Sequence, residues 1–341
     1  MADNRLMDWT IDRAKTHYPD DVCIMIEKNQ NYLPEDREIR FVNKFVCEDE
    51  ALIPLARTFI IGELSYDLMQ YSWAHMERHA QVDYYCCLIA DSKLVYYRSE
   101  ADKERFLALQ RRFHENLGDK AFMYKRALEW LNEAMELYTH MLFEEELGKL
   151  RKAAGYVADY LSWAVAACNQ TYFELGVLEQ MTKLGKMADV PDGFVDNYWR
   201  IIRAQTAEEL KALVHQMVAM TRAFVGDRKP PQPKREGGEY WLKPWYEEGR
   251  YYFRRIDHYC AAGDVAVTFS LSCAMQAEFD DIARDYDVPG LDVMSHFDAE
   301  DLAAHGQRMR NAEAQIVQRI EADGQVIECY ADLDEFLRKN R

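Results

Sequence analysis

No apolar run in the 341-residue chain approaches the roughly 20 residues that a bilayer-spanning helix needs, so no membrane partner is expected. The 8 cysteines include no C-x-x-C pair, and most sit in apolar surroundings. This spacing argues against zinc and against a disulfide framework, and leaves buried free thiols. Positive charge is also short: 42 lysines and arginines face 59 acids, for a formal net charge of −17. A phosphate-backbone binder needs a basic stripe, so nucleic acid is not an expected partner, whereas a small nucleotide held by a few local groups stays compatible. There is no G-x-S-x-G elbow, no G-x-x-x-x-G-K-[ST] loop and no G-x-G-x-x-G. No apolar signal core opens the chain; "MADNRLMDWTIDRAKTHYPDD" is charged and amphipathic, and the expectation is a cytoplasmic protein.

What remains is ordinary globular composition, 49% hydrophobic and 30% charged, in a chain long enough for two or three domains. Residues 1–118 alternate helix and strand signals: a helix over 4–17, strands at 22–27 and 39–46, and a short helix in "EALIPLAR". "TFIIGELSYDLMQYS" carries a further strand and "YCCLIADSKLVYYRS" a β-rich stretch, with Cys86 and Cys87 on opposite faces if on a strand. Ser99 reads as the N-cap of the helix that follows. From 119 the apolar period becomes helical, with Leu128, Leu131, Met135, Tyr138 and Leu142 on one face and Val157, Leu161, Ala164 and Cys168 on another. Thr206 and Glu209 form a capping box. "GDRKPPQPKREGG", 226–238, is the stretch of linker composition, and 240–321 is again helical, broken at Gly263–Asp264 and at "YDVPGLD". The expected fold class is α+β. An α/β domain with a mixed sheet spans 1–118, a helical bundle 119–225, a linker 226–239 and a second helical module 240–341.

Three features follow one another in the first half: the strand-turn-strand around "EKNQNYLPEDREIRFVNKFVCEDE", then "LARTFIIGELSYDLMQYSWAHMERHA", then "LIADSKLVYYRSEADKERF". With "AACNQTYFELG" and "FVDNYWRIIRAQTAEEL" behind them, this order resembles the nucleotidyltransferase superfamily, in its aminoglycoside (kanamycin-type) nucleotidyltransferase-like branch with a helical C-terminal domain. The resemblance covers about residues 1 to 225. It implies a first strand ending in a Gly-Ser turn that grips phosphates. The second strand then carries carboxylates at i and i+2, and a neighbouring strand a third. The i, i+2 spacing puts both acids on one strand face, where two Mg²⁺ ions activate an acceptor hydroxyl.

Against that pattern the working parts are missing. The turn reads "EKNQNY", without glycine or serine, and Arg40 and Val42 fall where the acid pair belongs. Residues 39–47 contain no Asp or Glu, although Glu35, Asp36 and Glu38 lie just before the strand. Asp67 is retained at the third-carboxylate position, and the resemblance makes Glu174 a candidate acceptor-binding or general-base carboxylate. Lys28, Asn29 and Arg40 are candidate nucleotide contacts; for Lys28, Arg40 and Lys44 the alternative is a solvated strand cation. His75 and His79 have helical i, i+4 spacing, but the acid does not follow the first histidine as in a zinc-protease helix, so no metal site is expected.

The expected function is therefore a nucleotidyltransferase-fold protein with a degenerate metal motif that binds a nucleotide or small ligand, with no firm cofactor. The alternatives are an active Mg²⁺-dependent transferase acting on a small hydroxylated acceptor such as an aminoglycoside, and an interaction protein or homodimer built on 240–341.

Overall fold

The computed structural model describes residues 4–28, 44–230 and 241–340. Within it the chain divides into two compact units, 1–231 and 232–341. The fold is α+β: a mixed five-stranded sheet and a helical bundle in the first unit, helices in the second.

In the first unit α1 (Arg5–His17) precedes β1 (Val22–Glu27). β2 (Lys44–Cys47), β3 (Arg57–Ile61), β4 (Leu64–Ser72) and β5 (Lys93–Tyr97) complete the sheet, in spatial order β3-β4-β2-β1-β5. β2 and β4 run parallel and the other neighbours antiparallel. "VCIMI" is a continuous apolar run because β1 is covered on both faces. Val22, Met25, Phe45, Cys47 and Leu68 pack with Met7 and Ala14 of α1. Cys23, Ile24, Ile26 and Val46 belong instead to a core that continues through the helices as far as Val225.

Those helices begin with α2 (Trp73–His79), α3 (Cys87–Ala90) and α4 (Glu100–Gly118), the last capped as expected by Ser99, which accepts from the Asp102 amide. α5 (Lys120–Leu142), α6 (Leu147–Cys168) and α9 (Ala207–Gly226) pack together. The short α7 (Gln180–Leu184) and α8 (Phe194–Arg203) are tied in by a buried polar chain. The Asp159 carboxylate on α6 accepts from Tyr84 Oη (3.0 Å) and Gln180 Nε2 (2.6 Å), and Tyr198 Oη donates to Gln180 Oε1 (3.0 Å). Thr206 caps α9 through the Glu209 amide, while the Glu209 carboxylate reaches back to the amide of Gln205 rather than of Thr206.

Several local expectations are corrected. "EALIPLAR" is a turn, not a helix: Pro54 disfavours helical backbone at Ile53, and the Ala56 amide closes on the Ile53 carbonyl. "TFIIGELSYDLMQYS" is a hairpin, not one strand; Ile61 pairs with Leu64 across Gly62–Glu63, and Gly62 takes the positive φ (+63°) that such a turn requires. Cys86 and Cys87 lie at and just inside the start of α3 instead of on a strand. The fully buried stripe of α5 is Met123, Ala127, Trp130, Leu131, Ala134 and Met141; of the expected face Leu131 belongs to it, Leu128, Met135 and Tyr138 pack half-buried beside it, and Leu142 is exposed. Of the expected strand at 39–46, residues 39–43 lie outside the described residues, as do 231–239 of the expected linker, whose first residue, Gly226, still belongs to α9.

The second unit has its own core, with Leu242, Phe253, Ile256, Met275, Phe279, Ile316 and Ile320 at its centre. It is built from α10 (Leu242–Ala262), α11 (Val265–Tyr286) and α12 (Leu302–Ala322), with α13 (Leu333–Lys339) near the end of the chain. Gly263 closes α10 with φ +71°, and Asp264 at once caps α11. No described helix is long and apolar enough to cross a membrane.

Candidate functional site

The strand directions bring the end of β1 and the starts of β2, β4 and β5 to one edge of the sheet. Side chains alternate between faces along each strand, which decides what meets there. Lys44 lies opposite Ile26 on one side and Met69 on the other, so it shares the bundle-facing side with Ile24 and Ile26. Lys28 continues the phase of Ile24 and Ile26, and Asp67 that of Met69. Two cations and a carboxylate thus converge where the sheet edge meets the helices.

Both lysines are buried, Lys28 at 8% and Lys44 at 7% exposure. Lys28 Nζ donates to the main-chain carbonyl of Glu174, 2.5 Å away. Burial pulls the Lys44 ammonium below the usual lysine range; the negative charge of Asp67 opposes that shift, and Lys28 adds to it. Asp67 is exposed and accepts at Oδ1 from Thr58 Oγ1 on β3 (3.1 Å).

The helices add a second layer. Asp91, two residues before β5, accepts at Oδ1 from Tyr172 Oη (2.9 Å), while its Oδ2 is buried without a hydrogen-bond partner among the described residues. Burial raises the Asp91 carboxyl, the Tyr172 hydrogen bond lowers it, Glu174 raises it, and Lys28 and Lys183 lower it. Lys183 sits 5.2 Å from the Tyr172 ring centroid and pairs with Glu174 (3.4 Å) and Glu179 (3.8 Å). The structure therefore brings Lys28 and Glu174 together, but through the main chain; the Glu174 carboxylate is half-exposed and turned to Lys183. Asn29, Arg40, Val42 and the acids Glu35, Asp36 and Glu38 lie outside the described residues.

Asp91, Tyr172 and Lys183 are missed by motif reasoning. Asp91 and Tyr172 lie within "LIADSKLVYYRSEADKERF" and "AACNQTYFELG", but no spacing singles them out there.

The described residues at this edge do not fit Mg²⁺. That ion takes near-octahedral oxygen ligands, and the two carboxylates described at this edge, Asp67 and Asp91, feel the lysine ammonium groups, with Asp91 also held by the Tyr172 hydroxyl. Elsewhere Cys23, Glu48 and Asp102 offer ligand atoms within 4.8 Å of one another. That space already has its cation: Arg98 meets Asp102 with two nitrogens (3.1 and 3.2 Å), lies 3.6 Å from Glu48, and donates to the Asp20 carbonyl (2.7 Å). His75 and His79 do not converge on a metal either. His75 Nδ1 caps Ser72 at the start of α2, and His79 Nδ1 faces Asp83 at 2.8 Å.

No family model and no curated protein matches the chain. Among solved structures it is similar to a nucleotidyltransferase-like protein from Exiguobacterium sibiricum, at 10% identity and a TM-score of 0.35, over 69% of this chain and 79% of that one.

Proposed function

We propose that the protein binds a phosphate-bearing small ligand, a nucleotide being the favoured class, without metal-dependent nucleotidyl transfer. The observation that carries this reading is the pair of buried lysines, Lys28 and Lys44, on the same face and at the same edge of the sheet. A buried ammonium is costly unless an anion faces it, and a phosphate supplies that charge together with several acceptor oxygens. Lys28 and Lys44 then do what metal ions do in the family that the sequence resembles: they neutralise phosphate charge. Asp67 and Asp91, close to these cations, are placed to accept hydrogen bonds from the sugar or base.

Active transfer to a small hydroxylated acceptor such as an aminoglycoside is disfavoured, because Asp67 faces a lysine where a metal would need further carboxylates. The test is a thermal-shift series with ATP, GTP, CTP and UTP, each with and without Mg²⁺. A ligand at a hundred times its Kd stabilises by about 2.7 kcal/mol, well within reach of the method. Stabilisation that needs no metal and disappears in Lys44→Met supports the proposal. Stabilisation strictly dependent on Mg²⁺ overturns it in favour of the transferase, and no shift with any nucleotide removes nucleotides as ligands.

A further inference from the structure

The second unit carries a concave site of its own. α10 and α11 flank an open groove of about 560 Å³ lined by Tyr251, Arg254, Arg255, His258 and Tyr259 from α10 and by Val267 and Leu271 from α11. The volume falls within the range of small-molecule pockets, about 300–1,000 Å³. On α10 these residues form one stripe, because Tyr251, Arg255 and Tyr259 follow one another at i, i+4, as do Arg254 and His258.

Most described arginines of the unit outside this groove are matched by acids, Arg308 and Arg338 excepted. Arg250 pairs with Glu313, Arg284 with Asp281 and Asp285, Arg310 with Asp257, and Arg319 with Asp323. Arg254 and Arg255 make no ion pair among the described residues, and no carboxylate lines the groove. Both are exposed, in a chain whose formal net charge is −17. The Arg255 guanidinium is held over the Tyr251 ring, 4.5 Å from its centroid, and the His258 ring meets Tyr259 edge-on at 5.1 Å. Stacking of this kind fixes a guanidinium plane without using its N–H donors, which stay available to a ligand.

From these features we infer that the α10–α11 groove binds a small phosphomonoester carrying an aromatic ring. Arg254 and Arg255 present planar forks that match phosphate oxygens, and His258 adds a further ring N–H. The Tyr251 and Tyr259 rings, with Val267 and Leu271, give an aromatic group an apolar surface to lie on. The site is independent of the lysine edge in the first unit, since it shares no residue with it.

The probe is adenosine 5′-monophosphate, titrated into the full chain by calorimetry, with adenosine and inorganic phosphate as separate arms. AMP is expected to bind at least tenfold more tightly than either fragment, because it uses the arginines and the apolar wall together. Binding is expected to weaken with added salt and to fall about tenfold or more in Arg254→Gln/Arg255→Gln, as loss of charge-assisted hydrogen bonds requires. Both arginines are exposed, so this variant keeps the core intact. Hydrogen exchange on the AMP complex is expected to protect peptides covering 250–260.

AMP binding that survives the double substitution but is lost in Lys44→Met belongs to the first unit and overturns the inference. Equal affinity for AMP and inorganic phosphate also overturns it, by reducing the groove to unspecific charge, as does no AMP binding at all.

Discussion

Lys28 and Glu174, 146 residues apart in the chain, meet through a hydrogen bond from Nζ to the main-chain carbonyl. The contact ties the end of β1 to the loop after α6, and it places a buried cation at the edge where the ligand is proposed to sit.

Lys28→Met removes that bond and leaves the carbonyl without its cationic donor. A hydrogen bond to a charged group is worth about 1.5–3 kcal/mol, so the variant is expected to lose stability of that order in a urea titration. An unchanged midpoint would mean that the carbonyl is satisfied in some other way.

Lys44→Met is expected to behave in the opposite manner. Burial lowers the Lys44 pKa, so the folded state binds this proton less readily than the unfolded chain does. Stability from this group therefore increases as pH rises from the folded value toward the ordinary lysine value of about 10.4, and at neutral pH the charge is a burden. The methionine variant is expected to keep or raise the melting temperature while losing the nucleotide-dependent shift. A variant that melts lower and still binds would separate Lys44 from the ligand.

Asp159 makes a pH test of the bundle. Burial raises its carboxyl, and the Gln180 and Tyr84 hydrogen bonds oppose the rise. With the folded value above the unfolded one, the group costs stability above its folded pKa, and that cost fades as pH falls toward the ordinary carboxylate value of about 4. Asp159→Asn is expected to flatten stability against pH across that acid window, followed by circular dichroism. Asp159→Ala instead leaves the Tyr84 hydroxyl and the Gln180 amide without their acceptor, at about 1–3 kcal/mol for each group stranded.

Thiol reactivity separates the cysteines. Burial pushes Cys23 up to about 11, Cys47 up to about 12 and Cys168 up to about 11, and Cys86 also rises. Cys273 and Cys329 are exposed. Since the thiolate is the nucleophile, a disulfide reagent at pH 8 is expected to label Cys273 and Cys329 rapidly, the half-buried Cys168 more slowly, and the buried Cys23, Cys47 and Cys86 only on unfolding. Mass spectrometry of the labelled peptides reads the order directly.

The sequence made the frame legible where a single local cause decides it. α1 follows from its amphipathic pattern, β1 from its continuous apolar run, the start of α4 from Ser99 and the start of α9 from Thr206. It was misleading where two causes compete. The apolar run "CCLIA" suits a strand or a buried helical turn equally, and its neighbours choose the latter. Gly62 was the visible sign that "TFIIGELSYDLMQYS" turns back on itself. The candidate site was less legible: Lys28 and Asp67 are named by the sequence, whereas Asp91 sits unremarked within "LIADSKLVYYRSEADKERF" and Lys183 lies in none of the quoted stretches. Asp91 is there because it precedes β5, but Lys183 reaches it through Tyr172 and Glu174, which is a property of the tertiary path.

The apolar core that runs from Cys23 to Val225 carries a further consequence. Cutting the chain near residue 118 would leave the sheet with a bare hydrophobic wall and the helices with its counterpart, so neither piece is expected to be a self-standing protein. Sheet and bundle should melt as one body. A ligand captured at the lysine edge would then protect amides deep in α5 and α6 as well as those it touches, and remote helices would report its occupancy.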